Sequence, residues 1–289
     1  MSVLTAETAA APTIAVAAAA PGGQRRGRGT GRKALFSLLS ALVSVGLLLF
    51  VWWAFLNIFH VDAFIGRRPL DVWHYLTEGP DAAAARTTII HAAGTTLRDA
   101  FLGLVVGIAA AVVGSVLFTL SRVAQQTFMP MAMVLQSVPL VALVPLIALI
   151  FGRSIACVTI ISSIVTFFPA LVNVTLAARN VPAQSMDLIN AYGGSPLTTL
   201  RKVQLPYALP ALFASLRIAA PLALIGALLA EWLATDQGLG GLMLHAGPTS
   251  NYDQLWACAA LITAFSVILY GIISAIETAV LARYAPPAH

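Results

Sequence analysis

The residues best placed to do chemistry in this chain stand close together: Gly193, Gly194, Ser195 and Pro196, then Arg201 and Lys202, then Leu205 and Pro206. Their chemistry is that of a shaped contact surface. A glycine pair tolerates the left-handed backbone that ends a helix, and a serine oxygen caps the next one. Proline suits the first helical position, where no backbone donor is needed. Arg201 and Lys202 then fall near the negative end of that second helix. Elsewhere, reactive side chains do not gather. His60, His74, His91, His245 and His289 are isolated, and no Ser–His–Asp order, paired carboxylates or metal-ligand spacing occurs. Cys157 and Cys258 lie inside apolar runs and read as small hydrophobes. No catalytic and no metal-binding residue is expected, and the chain does not read as an enzyme.

The elements that must position this surface follow from composition. Of 289 residues, 59% are hydrophobic and 9% charged, with a mean hydropathy of +0.89. A soluble domain carries roughly a quarter charged residues, so the solvent here is mostly lipid. Helices satisfy their own backbone groups in hydrocarbon, whereas a barrel would show short alternating segments instead of continuous apolar runs. An all-α integral membrane protein with six spans is expected, near 35–59, 93–120, 128–150, 155–178, 208–233 and 255–281. The short link at 151–154 makes the third and fourth spans a tight hairpin. Residues 1–34 form an Ala- and Arg-rich tail, and 35–289 the membrane domain. The tail's GRGTGRK follows no strand, and its lysine precedes no Ser or Thr, so it is not a phosphate-binding loop.

Orientation follows from the basic residues. With the N-terminus inside, eleven Lys and Arg side chains fall on the cytoplasmic side and five on the other. Both termini are expected in the cytoplasm of a plasma or inner membrane, together with the 193–206 surface. The net charge of +5 thus reflects orientation, and nucleic acid is not expected as a partner.

Inside the spans, Gly103, Gly107 and Ala111 recur every four residues, which fits either close helix approach or the general abundance of glycine and alanine in membrane helices. Gln136 and Ser137 lie between Pro130, Pro139 and Pro145, and Thr159, Ser162, Thr166 and Asn173 follow one helical face. Two readings fit the polar set Gln136, Ser137, Ser162, Thr166 and Asn173: a solute path, or hydrogen bonds between helices. Glu231, with Gly238 and Gly240 in QGLGG, fits either an outer gate or an interfacial acid followed by a turn. Asp99, Glu231 and Glu277 all sit near span ends, whereas ion-coupled carriers place ionisable groups near the midplane.

Residues 183–192 read as a short helix ahead of the glycine pair, and Leu205–Pro206 as the break that sets the angle into the next span. Helix, tight turn and helix at the cytoplasmic face suit a knob docking into a partner. They also suit a loop on the lipid surface, with Arg201 and Lys202 on anionic headgroups.

The spacing from Gly193 to Leu205–Pro206 resembles the EAA loop of ABC-importer permeases. The resemblance extends through LQSVPLVALVPLIALIFG, FFPALVNVTLAARNV, YALPALFASLRIAAPLALIGALLAEW and QGLGGLM. It covers roughly 90–283 and is similar to the subfamily for nitrate, taurine, sulfonates and vitamin precursors. It implies a type I importer (MetI-like) fold and import of a small polar or anionic solute by alternating access. It also implies coupling through a 180–206 loop by Asp187, Gly193, Ser195, Pro196, Arg201, Lys202, Leu205 and Pro206. The implied partners are two cytoplasmic ATPase copies, a second permease chain (identical or different) and an extracytoplasmic solute-binding protein. ATP and Mg²⁺ would be held by the ATPases, and no cofactor by this chain. One departure stands out: Asp187 replaces the family's glutamate, and Leu188 and Ile189 its alanine pair. An ion-coupled secondary carrier and a non-transporting scaffold are the competing functions.

Overall fold

The computed structural model describes residues 30–284 apart from Gly79. Most of the expected tail, with Arg25, Arg26 and Arg28, lies outside the described residues. Among them every element is helical: α1 (Thr30–Ile58), α2 (Pro69–Thr77), α3 (Ala82–Leu120), α4 (Arg122–Gln136), α5 (Leu140–Phe151) and α6 (Ile155–Arg179). There follow α7 (Ala183–Ala191), α8 (Pro196–Thr199), α9 (Leu205–Ala230), α10 (Gly238–Ala246) and α11 (Tyr252–Tyr284). Wider π-helical turns at Leu200–Gln204 and Glu231–Thr235 extend α9 at both ends. Residues to Ala54 form one unit and those from Phe55 another.

Four stretches are long and apolar enough to cross a membrane: Ala82–Leu120, Ile155–Arg179, Pro196–Thr235 and Tyr252–Ala282. α4 and α5 meet the same length and hydropathy test only together and are bent by 101° at their break, as in a broken span or a re-entrant loop. The apolar Val43–Ile58 stretch of α1 is shorter. This is a multi-pass membrane protein, but the expected third span over 128–150 is not one straight helix. The chain breaks at Ser137–Pro139, because Pro139 has no backbone donor and pushes Val138 out of the helical region. The second span also begins eleven residues before its expected start at 93. The stretch from Ala82 holds helix formers and no proline, so the helix projects beyond the hydrocarbon.

The core is α3, α6 and α9. Small residues let them touch at backbone distance. A Cβ at Gly103 would run into Ser162, one at Gly107 into Thr166, and one at Gly226 would come within 2.8 Å of the Ser162 Cα. Beyond the glycines, Arg179 donates from Nη2 to the Phe118 carbonyl at 2.8 Å. α3 and α6 are therefore parallel. Ala208 packs with Val174 and Ala178 while Gly226 meets Ser162, so α9 is antiparallel to both. One end of the bundle carries α7 and α8, and the opposite end carries α10. α11 lies against α9 through an Arg217–Glu277 ion pair of 3.0 Å. The Arg217 guanidinium also sits 5.9 Å above the Tyr270 ring.

Candidate functional site

At the first end, local chemistry builds a knob. Pro182 sits at the start of α7, none of whose residues is buried. The helix stops where Gly193 takes φ +70°. The Gly193 and Gly194 amides donate to the Asn190 and Ile189 carbonyls, each at 2.9 Å, satisfying two carbonyls that the helix end would leave open. Ser195 then caps α8, its Oγ accepting from the Thr198 amide at 3.3 Å, with Pro196 at the first position. Thr199 and Leu200 are buried and anchor the knob. Asp187, Ser195, Pro196, Arg201 and Lys202 are exposed, as are Leu188, Tyr192 (85% exposed) and Leu197. No salt bridge engages Asp187, Arg201 or Lys202 among the described residues.

One expectation for this segment is overturned. Leu205–Pro206 does not break the helix: Pro196–Thr235 is one helix of 40 residues. Pro206 stands in the first turn of α9, and the π turn just before it is closed by the Leu205 amide on the Leu200 carbonyl. That wider turn accommodates the proline without ending the helix. The knob is thus welded to the longest helix in the bundle.

At the opposite end Glu231 is fully buried. Its Oε2 accepts from the Thr96 hydroxyl at 2.9 Å and from the Gly240 amide at 3.0 Å. The Thr96 Oγ1 accepts in turn from the Leu239 amide at 2.9 Å. A carboxylate at the N-terminus of a helix is favoured by the dipole and by the free amides there, so Glu231 pins α10 to α3 and α9. Gly238 and Gly240 have no room for a side chain, since a Cβ on either would run into Glu231. The three residues expected at the outer gate therefore form one lock. Thr96, missed from the sequence, completes it from 135 positions away.

Beside the lock, α3 and the 236–245 segment border an open pocket of about 540 Å³ lined by Thr88, His91, Thr95, Asp236, Gln237 and His245, among others. Asp236 takes φ +59° and pairs with His245 Nε2 at 2.7 Å and Arg153 Nη2 at 3.8 Å.

The expected path residues separate. Ser162 and Thr166 are fully buried against the α3 glycines, where Thr166 Oγ1 reaches the Ser163 carbonyl at 3.1 Å. Both sit within the α3–α6 packing. Asn173 is exposed, as are Gln136 and Ser137 at the α4–α5 bend. Ser137 donates to the Val134 carbonyl at 2.7 Å. Gln136 lines a groove of about 250 Å³ with Val165, Phe168 and Leu222.

Residues 103–283 match the family described as binding-protein-dependent transport system inner membrane component. A probable ABC transporter permease protein of Haemophilus influenzae is 33% identical over 81% of this chain and 93% of its own. The riboflavin transport system permease protein RibX of Chloroflexus aurantiacus is 30% identical over 53% of this chain and 57% of its own. The formylaminopyrimidine transport permease protein ThiX of Halalkalibacterium halodurans is 32% identical over 50% and 58%. A solved structure, described as inward facing conformations of the MetNI methionine ABC transporter, superposes with a TM-score of 0.55 at 19% identity. That match covers 71% of this chain and 99% of that one, and it bears on fold alone. The type I importer permease fold expected from the sequence is the fold found. The chain belongs to the family of binding-protein-dependent transport system inner membrane components, as an ABC transporter permease subunit and not an enzyme.

Proposed function

We propose that this subunit forms half of the solute path of an ATP-driven importer and takes its driving motion from a cytoplasmic ATPase through residues 183–206. The observation that carries the reading is the exposed, capped knob continuous with the 40-residue helix Pro196–Thr235. A rigid rod transmits displacement, whereas a flexible linker would absorb it. Gly193, Ser195 and Pro196 shape the knob, and Asp187, Arg201 and Lys202 contact the ATPase. Leu205 and Pro206, following the π turn, pass the motion into the membrane. The excess of Lys and Arg on this side orients the knob and both termini to the cytoplasm.

Two ATPase copies hold ATP and Mg²⁺; this chain binds neither. A second permease chain completes the path, with Gln136, Ser137 and Asn173 available to line it. α10, held by Glu231, is the outer gate, and an extracytoplasmic binding protein delivers a small polar or anionic solute there. Closure of the ATPases around ATP rocks the bundle outward-open, and hydrolysis resets it. The test is reconstitution of the subunit with its ATPase and binding protein in liposomes. Solute-loaded binding protein should raise ATP turnover and drive uptake. Gradient-driven uptake by the chain alone, without nucleotide, would overturn the reading.

A further inference from the structure

We propose that Arg122 and Arg179, at the knob end of the bundle, form a binding site for the phosphate of an anionic membrane lipid. The chemistry rests on the residues themselves. That the lipid belongs to the cytoplasmic leaflet rests on the orientation argued above.

Arg179 is the last residue of α6, and its guanidinium is fixed in place. Nη2 donates to the Phe118 carbonyl at 2.8 Å, one of those that the end of α3 leaves open. The Nε of the same group is buried and makes no hydrogen bond. A charged donor shut away from water without an acceptor is costly, and an acceptor from outside the chain would relieve that cost. Arg122 is exposed and opens α4, with Ser121 alone between it and the end of α3. Its positive charge bears on Arg179. Among the described residues neither arginine has a salt bridge. The sequence gives the reason: no Asp or Glu occurs between Asp99 and Asp187, and Asp187 stands exposed on the knob.

Two neighbouring guanidinium groups without a carboxylate favour an anion, and their planar forks match phosphate oxygens two at a time. The N-terminus of α4, beside Arg122, adds its dipole in the same sense. The surroundings select a lipid over a free anion. Leu117, Leu120 and Val123 beside Arg122, and Leu176 one turn before Arg179, are all exposed. Apolar surface flanking a basic pair suits acyl chains attached to a headgroup, and basic pockets between membrane helices on the cytoplasmic side take such headgroups.

The test is native mass spectrometry of the full-length chain in detergent, with phosphatidylglycerol and phosphatidylcholine added at equal concentration. Phosphatidylglycerol should be retained at least about tenfold more than phosphatidylcholine, as two basic groups at a membrane surface provide. Arg122→Gln should cut that retention about fivefold and leave the unfolding midpoint unchanged, because the side chain is exposed. Arg179→Lys keeps the charge but loses the Nε donor and the fork, and it should cut retention a few-fold. Arg86→Gln, exposed at the opposite end of α3, should change nothing. Equal retention of the two lipids, Arg122→Gln retaining phosphatidylglycerol like the parent, or Arg86→Gln losing as much as Arg122→Gln would each overturn the proposal. Displacement of the lipid by inorganic phosphate at the lipid's own concentration would overturn it in favour of a free-anion site. Loss of ATPase capture by Arg122→Gln with lipid retention unchanged would overturn it in favour of a protein contact.

Discussion

The two ends of the bundle use charge in opposite ways. At the knob, Asp187, Arg201 and Lys202 stand exposed on a scaffold whose own hydrogen bonds are local, none spanning more than a few residues. At the lock, Glu231 is wholly buried and joins three elements, with Thr96 and Gly240 as its donors. A free charged surface held by local caps can be altered without unfolding the protein, and it is available to a partner. A buried carboxylate held by distant partners cannot be altered so lightly, because the Gly240 amide it satisfies would otherwise be left buried without an acceptor. On the proposed reading the knob's sequence serves recognition, whereas the lock's serves position.

The sharpest way to break this contrast is Glu231→Ala. It strips the Gly240 amide of its acceptor, while the Thr96 hydroxyl keeps the Ala92 carbonyl at 3.2 Å, and the expected loss is about 1–3 kcal/mol of stability. Thermal unfolding in detergent should show a clear fall in midpoint. Glu231→Gln keeps an acceptor oxygen and should lose much less. Equal midpoints for Ala and the parent would mean that the lock does not hold α10.

Gly193→Val should act at the other end by a different route. Nothing lies within 4 Å of a Cβ built there, so only the positive φ resists the substitution, at about 1–2 kcal/mol. Membrane insertion should be normal, while the ATP turnover stimulated by loaded binding protein should drop. Gly193→Asn, which tolerates the left-handed region, should keep most of that stimulation. If valine is as well coupled as glycine, the knob's shape does not matter.

The same contrast explains what could be read from residue order. The knob was legible because its determinants are local: Gly193 ends α7, and Ser195 with Pro196 starts α8. The four-residue spacing of Gly103 and Gly107 allowed their close packing without requiring it, since glycine is common in membrane helices. The lock was not, since Glu231 and Thr96 are far apart in the chain and the glycines beside them read equally well as a turn. Prolines were the least legible signal. Pro130, Pro145, Pro169, Pro210 and Pro221 all lie inside helices, whereas Pro139 breaks one. Each carries the same missing donor, so the outcome depends on what neighbouring helices can satisfy. At Pro206 a π turn settled the matter, and no residue pattern announces one. Ser162 and Thr166 left two readings open for a similar reason: a hydroxyl on a helix face does not reveal whether the facing helix brings glycine or water.

A double charge reversal, Arg201→Glu with Lys202→Glu, should leave the unfolding midpoint within about 0.5 kcal/mol of the parent, as expected for exposed positions. It should weaken ATPase capture roughly tenfold, through charge mismatch at the contact. Unchanged capture would move recognition onto Leu188, Tyr192 and Leu197, the apolar part of the knob.

The smallest effect is expected where a charge pair is neither free nor fully buried. Arg67 Nε lies 2.8 Å from Asp253 Oδ1, with the two side chains 26% and 31% exposed. The same loop is also fastened to α11 by the Trp256 Nε1 hydrogen bond to the Ile65 carbonyl at 2.8 Å and by an edge-on contact of Phe64 with Tyr252. Because those contacts survive, Arg67→Ala should lower stability by no more than about 1 kcal/mol. It should leave ATPase capture unchanged. A loss comparable to that of Glu231→Ala would mean that a half-exposed pair can hold an element as firmly as the buried lock, and burial would no longer be what separates the two ends.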